Sequence, residues 1–449
     1  MIDLERYKSA FASMPDGILR AEVNAERIHS TTVWIAQGRA SSSEAYDQTK
    51  YYLRAGGDRL GMVYTERQDD DVLQLMRMAA ENSKWVDQET AAPMHDAADS
   101  MVLSEGSAME PVEDMIRVGQ ALEAALSGCE IRKLAIRAME REMRTVNSLG
   151  FDAQMRTYWV DVTATVAMKR ENMQDAEIET NQSAGSLREL NVTAFAEKAH
   201  ALCDGFDAHG LSPVTIPGGR HDCVMTGQVM RNILMTAWKA FSAEAMHNGT
   251  SCFSGAGQRL GVESLQLINA PRHPVSGKVW PMDSEGSVVP ETYIVRDGVL
   301  EEPLYTLQSG VRDGAGTNGC AGRVPSMTGN VPIALTTVPA MLYLAPASGT
   351  SQDDLIRSMG TGVVLTYSLD LFHSVNTASG LFSVPCGGYY VRDGKPVGSV
   401  SQMTVAGSLG ELFGAMQAFA DDLDFDDFYF RNYCIGSPSV LLKGLSFAT

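Results

Sequence analysis

The sequence predicts an α+β protein, with an N-terminal mixed α/β domain at residues 1–205 and a C-terminal, largely antiparallel β domain with a few helices at residues 206–449. Three observations lead there. Residues 156–170, RTYWVDVTATVAMKR, alternate with a period of two, the mark of a strand with two different faces. Met230, Ile233, Leu234, Ala237, Trp238, Phe241 and Ala245 recur at the i, i+3, i+4, i+7 spacing of a core helix. From residue 250 onward Gly, Ser, Thr and Pro separate short apolar runs, the composition of a turn-rich sheet.

Taken in order, residues 3–14 read as a helix, and Ile28–Ala36 as a strand rich in Thr, Val and Ile. A second strand is expected near Arg59–Tyr64. Residues 70–84 open on acidic residues and continue with apolar residues at helical spacing, which predicts a helix. Pro111 to Leu126 predicts another, with Pro in its first turn and acidic residues just inside, where the helix dipole favours them. In the alternating strand Val160, Val162, Ala164, Val166 and Met168 face one way, and Trp159, Asp161, Thr163 and Thr165 the other. A helix at 193–204 leads to the Pro/Gly-rich break LSPVTIPGG, so the boundary is expected between 190 and 220. Beyond it, YIVRDGVL and YVRDGKPV both set Asp-Gly between strand-like flanks, the signal of a tight hairpin. A helix is expected at 408–421, and SVLLKGLSFA reads as a last strand.

Composition narrows the function classes. Hydrophobic residues make up 44% of the chain and charged residues 20%, an ordinary globular balance. No apolar run approaches the ~18 residues that span a bilayer, and the start of the chain lacks a basic stretch followed by an apolar one, so neither a membrane nor export is expected. A net charge of −19, with no run of Lys and Arg, argues against nucleic acid as a partner. The seven cysteines are scattered without C-x-x-C spacing, which fits reduced thiols in the cytoplasm. The N-x-[ST] triplets at Asn181, Asn191 and Asn248 carry no meaning without secretion. There is no G-x-S-x-G elbow, no phosphate-binding loop and no G-x-G-x-x-G opening a helix after a strand. Ser254 and Ser379 have glycine neighbours but no identifiable base.

A family resemblance rests on the order of motifs in the second half. Ser251, Cys252 and Phe253 precede QRLG at Gln258–Gly261; then come YIVRDGVLEEPLYTLQSG, the GTNGCAGR element with Asn318 and Arg323, and MLYLAPASGTSQDDLIRSMGTGVVLT. The most specific stretch is SVNTASGLFSVPCGGYYVRDGKPVGSVSQMTVAGSL, followed by the closing SPSVLLKGLSFA. In this order the segments resemble the TldD/PmbA (TldE) peptidase family, and the ending is similar to its PmbA-like members. The N-terminal half fits more loosely, through its strand–helix order and Ser148-Leu149-Gly150 before the alternating strand.

The resemblance implies that TldD-like members hold zinc through HExxxH on a helix and a cysteine near the C-terminus, with the Glu polarising a water. This chain departs from that pattern: none of its eight histidines is followed by Glu. The corresponding helix reads KAFSAEAMHNGTS, where Glu244 and His247 lie one turn apart. Cys434 falls within the terminal Gly-Ser-Pro segment and reads as a small buried residue. The resemblance therefore implies a PmbA/TldE-like non-catalytic subunit without a cofactor of its own. Its expected partners are a TldD-like subunit carrying the zinc, and a peptide or unfolded polypeptide. The alternatives are a peptidase acting alone through a divergent site, and a homodimeric peptide-binding module. Asn318, Arg323, His373, Asn376 and Ser379 are the expected substrate-binding residues, each with a plainer reading as turn chemistry. The family's label as a modulator of DNA gyrase finds no support in the charge.

Overall fold

The computed structural model describes residues 2–86, 92–106, 109–168, 176–206, 208–323, 334–369, 373–426 and 433–448. The N-terminal part runs α1 (Glu5–Phe11), β1 (Arg20–Ala36), β2 (Arg39–Gly56), β3 (Leu60–Thr65), α2 (Val72–Asn82), β4 (Met101–Glu105), α3 (Val112–Ala125), β5 (Glu130–Asn147), β6 (Asp152–Met168), β7 (Ala176–Ala184) and α4 (Val192–Phe206). Its strands form one seven-stranded sheet ordered β3-β2-β1-β5-β6-β4, with β7 also paired to β6. The pairings are antiparallel except β4 with β6.

The alternation read in β6 decides what each face of this sheet touches. Val160, Val162 and Ala164 pack with Leu134, Ile136 and Ala138 of β5 under α3 and α4, in a cluster centred on Met115, Leu122 and Phe195. At the other end Val23, Ala25 and Leu53 pack under α1 and α2 with Tyr7, Phe11, Leu75 and Met76. The opposite face holds Trp159 and Met139, which meet Ile268, Trp280, Met341, Tyr343 and Phe425 of the second half. Away from residues 39–47 of β2, which are exposed, the sheet is thus covered on both faces, by helices on one and by the C-terminal half on the other.

That half contains β8 (Gly219–Met225), α5 (Gly227–Ala237), α6 (Ala243–His247), β9 (Leu267–Ala270), β10 (Thr292–Arg296), β11 (Val299–Leu300), α7 (Leu307–Asp313), β12 (Ala321–Gly322), β13 (Thr336–Thr337), β14 (Met341–Leu344), α8 (Gln352–Met359), β15 (Gly362–Ser368), β16 (Leu381–Arg392), β17 (Lys395–Ser408), α9 (Leu409–Ala415), β18 (Met416–Phe419), β19 (Asp424–Asp426), β20 (Cys434–Ser437) and β21 (Val440–Ala448). Two six-stranded sheets, β11-β10-β9-β14-β20-β19 and β17-β16-β15-β8-β21-β18, enclose α5, whose Met230, Ile233 and Leu234 are at the centre of the largest core cluster. Pairing is antiparallel apart from β14 with β20 and β15 with β8. Among the described residues no helix is long and apolar enough to cross a membrane.

Both Asp-Gly hairpins form as read: Asp297, Gly298, Asp393 and Gly394 have φ of 50°, 72°, 51° and 72°, the left-handed conformation that a two-residue turn requires. Two helices end earlier than their periodicity suggests. The one expected through Ala245 ends at Ala237, tightens into a 3-10 turn over Trp238–Phe241 and breaks at Ser242, which takes an extended ψ of 128° and caps a new helix through its hydroxyl. The backbone there is drawn into a bridge with Leu304. The helix expected at 408–421 stops at Ala415, because Met416–Phe419 pairs with β21 instead.

Candidate functional site

Two polar clusters meet around the short antiparallel β12–β13 pair. The first fills the seam between the N-terminal sheet and the C-terminal half. β1 and β2 set Glu22 opposite Arg54, and the pair closes at 2.5 Å. Arg54 also lies 3.8 Å from Glu285, which arrives from the second half. Two residues along β1, Asn24 stands between Tyr52 and Thr145 on the neighbouring strands and accepts a 2.7 Å hydrogen bond from the Arg323 guanidinium. Arg323 also stacks on the Tyr52 ring at 3.8 Å. Glu26 pairs with Arg141 of β5 at 2.5 Å, and Arg141 lies over Trp280 at 3.8 Å.

The loop that supplies Glu285 is built around Asp283. Its Oδ1 accepts from the backbone N–H groups of Glu285 and Ser287, and its Oδ2 from that of Ala321 on β12. Gly286 carries a φ of 88°, and a Cβ there would come within 2.7 Å of the Phe151 ring, so the turn accepts only glycine. Glu285 caps α7 by accepting from the Leu307 N–H at 2.8 Å. Burial and the neighbouring Glu285 push the Asp283 carboxyl up to about 8, although three N–H donors hold it back. Burial raises Glu285 as well, with Arg54 pulling the other way. Loss of water brings the Arg323 guanidinium down to about 10.

The second cluster surrounds α6. Ser242 donates to the Thr337 hydroxyl at 2.9 Å. Glu244 Oε2 accepts from the Thr337 N–H at 3.4 Å and from the Thr336 hydroxyl at 3.5 Å. His247 Nε2 lies 2.6 Å from Asp313 Oδ1, and the Tyr305 hydroxyl donates to the other oxygen of Asp313 at 3.0 Å. Burial, and then the Asp313 carboxylate, raise the Tyr305 hydroxyl to about 12.

The residues expected from the sequence divide between places. Arg323 and Asn318 flank β12. Asn318 works inside the backbone, accepting from the Tyr305 N–H and donating to Glu302 and the Pro303 carbonyl. Asn376 and Ser379 belong to a separate exposed turn, where Asn376 Oδ1 accepts from the Ala378 and Ser379 N–H groups and Ser379 Oγ from that of Leu381. His373 is exposed at the start of the same segment. Asp283 and Glu285 were not singled out from the sequence. Their signal is two carboxylates two residues apart in Asp-Ser-Glu-Gly, ahead of a strand.

Residues 218–449 match the family model described as the PmbA/TldA metallopeptidase C-terminal domain. This chain belongs to the PmbA/TldD family. Over 150 residues it is 31% identical to a metalloprotease PmbA homolog of Haemophilus influenzae, and over 144 residues 26% identical to metalloprotease PmbA of Escherichia coli O157:H7. Each alignment covers 32% of this chain and 28% of the relative, so the chain is matched over less than a third of either. The fold extends further. TldE from Thermococcus kodakarensis superposes with a TM-score of 0.75 at 16% identity, covering 99% of both chains. A Thermotoga maritima protein named for modulation of a DNA gyrase does so with a TM-score of 0.78 at 18% identity, again over 99% of both.

Within this PmbA/TldD fold the α6 residues do not fit the zinc ion that an HExxxH helix would hold. Glu244 turns to the β13 threonines and His247 to Asp313, so the two donors are directed to different neighbours. Among the described residues no three His, Cys, Asp or Glu side chains are grouped as metal ligands. Cys434 is buried on β20 in the layer that contains Met341, Tyr343 and Phe425. Nor do the described residues supply a nucleophile to the His247–Asp313 pair: no Ser, Thr or Cys shares a hydrogen bond with that imidazole.

Proposed function

We propose that this chain is a PmbA/TldE-like, non-catalytic subunit of a two-subunit peptidase assembly in the cytoplasm, which acts on peptides or unfolded polypeptides with zinc held by a TldD-like partner. The observation that carries the reading is the pair of diverging contacts at α6. At the position where zinc-binding members have HExxxH, Glu244 and His247 are each engaged by a different structural neighbour. The names of the relatives, metalloprotease PmbA and TldE, support the peptidase context.

In this reading the polar residues of the seam hold the two halves in register, and the peptide is met elsewhere. Arg323 and Asn318 are committed to internal partners, which leaves the exposed Asn376 and Ser379 as the part of the expected set turned toward solvent. The test is reconstitution. The purified chain is mixed with a TldD-like subunit from the same source, and complex formation and hydrolysis of an unfolded polypeptide are followed. The expected result is a complex of the two chains and hydrolysis that requires both. Failure to associate, or hydrolysis by this chain alone, contradicts it.

A further inference from the structure

Away from both clusters, the structure brings together two cysteines from different elements. Cys129 sits in the turn between α3 and β5, and Cys203 on α4. They pack into one small cluster with Val166 and Ile178, and their side chains interact directly. Both also line an open cavity of about 740 Å³, together with His200 and Asp204 from the same face of α4. The remaining cysteines differ. Cys223 also lies beside another cysteine, Cys386, but those two are 0% and 1% exposed inside the largest core, beyond the reach of a dissolved reagent. Cys320 and Cys434 are buried, and Cys252 packs against Gly380. Among the described residues, Cys129 and Cys203 are therefore the pair that shares a cluster and lines an open cavity, with Cys129 half-buried and Cys203 buried behind it.

We propose that Cys129 and Cys203 are a reversible redox pair, which a low-molecular-weight disulfide oxidises to an intramolecular disulfide. The Cys129 thiolate attacks the small disulfide. A bond forms from its Sγ to one sulfur, the reagent's S–S bond breaks, and one small thiol leaves. Cys203 then gives up its proton to solvent and attacks Sγ of Cys129, releasing the second small thiol. Two protein thiols are oxidised and one disulfide is reduced to two thiols, so electrons and protons balance. Burial raises both thiols above their ordinary value, Cys203 to about 12, so the exchange is slow at neutral pH and quickens as pH rises. Cys129 is the less buried of the two and reacts first. The new bond would tie α4 to the α3–β5 turn. On the same helix, Lys198 pairs with Asp424 of the C-terminal half at 2.6 Å, so the pair sits on an element that both halves share. A transient, sensing disulfide of this kind is the form expected of a cytosolic protein.

The test uses the full-length native protein with excess oxidised glutathione at pH 8, followed by alkylation and mass-spectrometric mapping. The expected outcome is loss of two of the seven thiols, a single Cys129–Cys203 linkage, and full return of both thiols with dithiothreitol. Cys203→Ser is expected to stop at a glutathione adduct on Cys129. Retention of all seven thiols by the native wild-type protein, or a linkage that omits either residue, overturns the proposal whether or not the variant folds.

Discussion

In the seam, Arg54, Arg141 and Arg323 are almost wholly withdrawn from water, each against a carboxylate, an amide or a ring. Around α6, Glu244 and His247 are partly buried, but their setting includes an exposed Asp313, whereas Arg54 faces the buried Glu22. The same types of side chain are thus used in two ways. Buried charge is costly unless it is paired, so the seam residues depend on one another. A pair with an exposed member keeps water as an alternative partner, so losing an α6 contact is expected to cost less. The contrast teaches that the polar machinery of this chain is concentrated in joining its halves. On α6, Glu244 and His247 serve two separate contacts, to the β13 threonines and to Asp313.

The largest effect that tests this contrast is expected from Arg54→Ala. It leaves Glu22 and Glu285 buried without their cation, and breaking a buried pair in this way costs about 3–5 kcal/mol. Urea unfolding followed by circular dichroism would show it as a lowered midpoint. A loss below ~1 kcal/mol would mean the seam is wetter than its burial indicates. Arg323→Ala removes the hydrogen bond to Asn24 and the stacking on Tyr52, for an expected ~2–3 kcal/mol in the same assay. Arg323→Lys is expected to recover only part, since an ammonium cannot reproduce a planar stacked contact.

Asp283 sharpens the comparison through pH. Its carboxyl is raised to about 8 in the folded protein from an ordinary 3.8, so the native state holds a proton that the unfolded chain releases. The stability linked to that proton is fully present below pH ~4 and is lost as pH rises through ~8. Thermal melting between pH 5 and 8 should therefore show a falling contribution that Asp283→Asn removes and that Glu285→Gln only reduces, because burial is the larger cause of the shift. An unchanged slope in Asp283→Asn would assign the pH dependence to other groups. The smallest effect is expected at α6. His247→Ala should change the unfolding free energy by no more than about 0.5 kcal/mol, as for other partly exposed ion pairs. A loss of several kcal/mol in the urea assay would place His247 with the seam residues instead.

How far the sequence announces this structure follows from what each segment is asked to do. The Asp-Gly turns are legible because a two-residue hairpin needs left-handed backbone, and Asp and Gly tolerate it. β6 is legible because helices cover one face and the seam covers the other, which keeps its period of two. β2 and β5 were not legible. Residues 39–47 of β2 are exposed on both faces, so no apolar alternation marks them. β5 carries Glu140, Arg141 and Glu142 in succession, a run that reads as a solvated surface, yet all three are buried by tertiary packing. The site divides in the same way. Arg323 stands out by its place in a family motif. Its partners Asn24 and Tyr52 lie some three hundred residues earlier and have no local signature. Ser242 reads as one more helical residue until the bridge to Leu304 shows why the helix breaks there.

The most direct test of the account is the zinc content and peptide hydrolysis of this chain purified alone, compared with His247→Ala and with the mixture containing a TldD-like subunit. The account predicts sub-stoichiometric zinc that His247→Ala leaves unchanged, with hydrolysis only in the mixture. One zinc per chain, lost on His247→Ala and accompanied by hydrolysis from this chain alone, would contradict it and make α6 a catalytic centre.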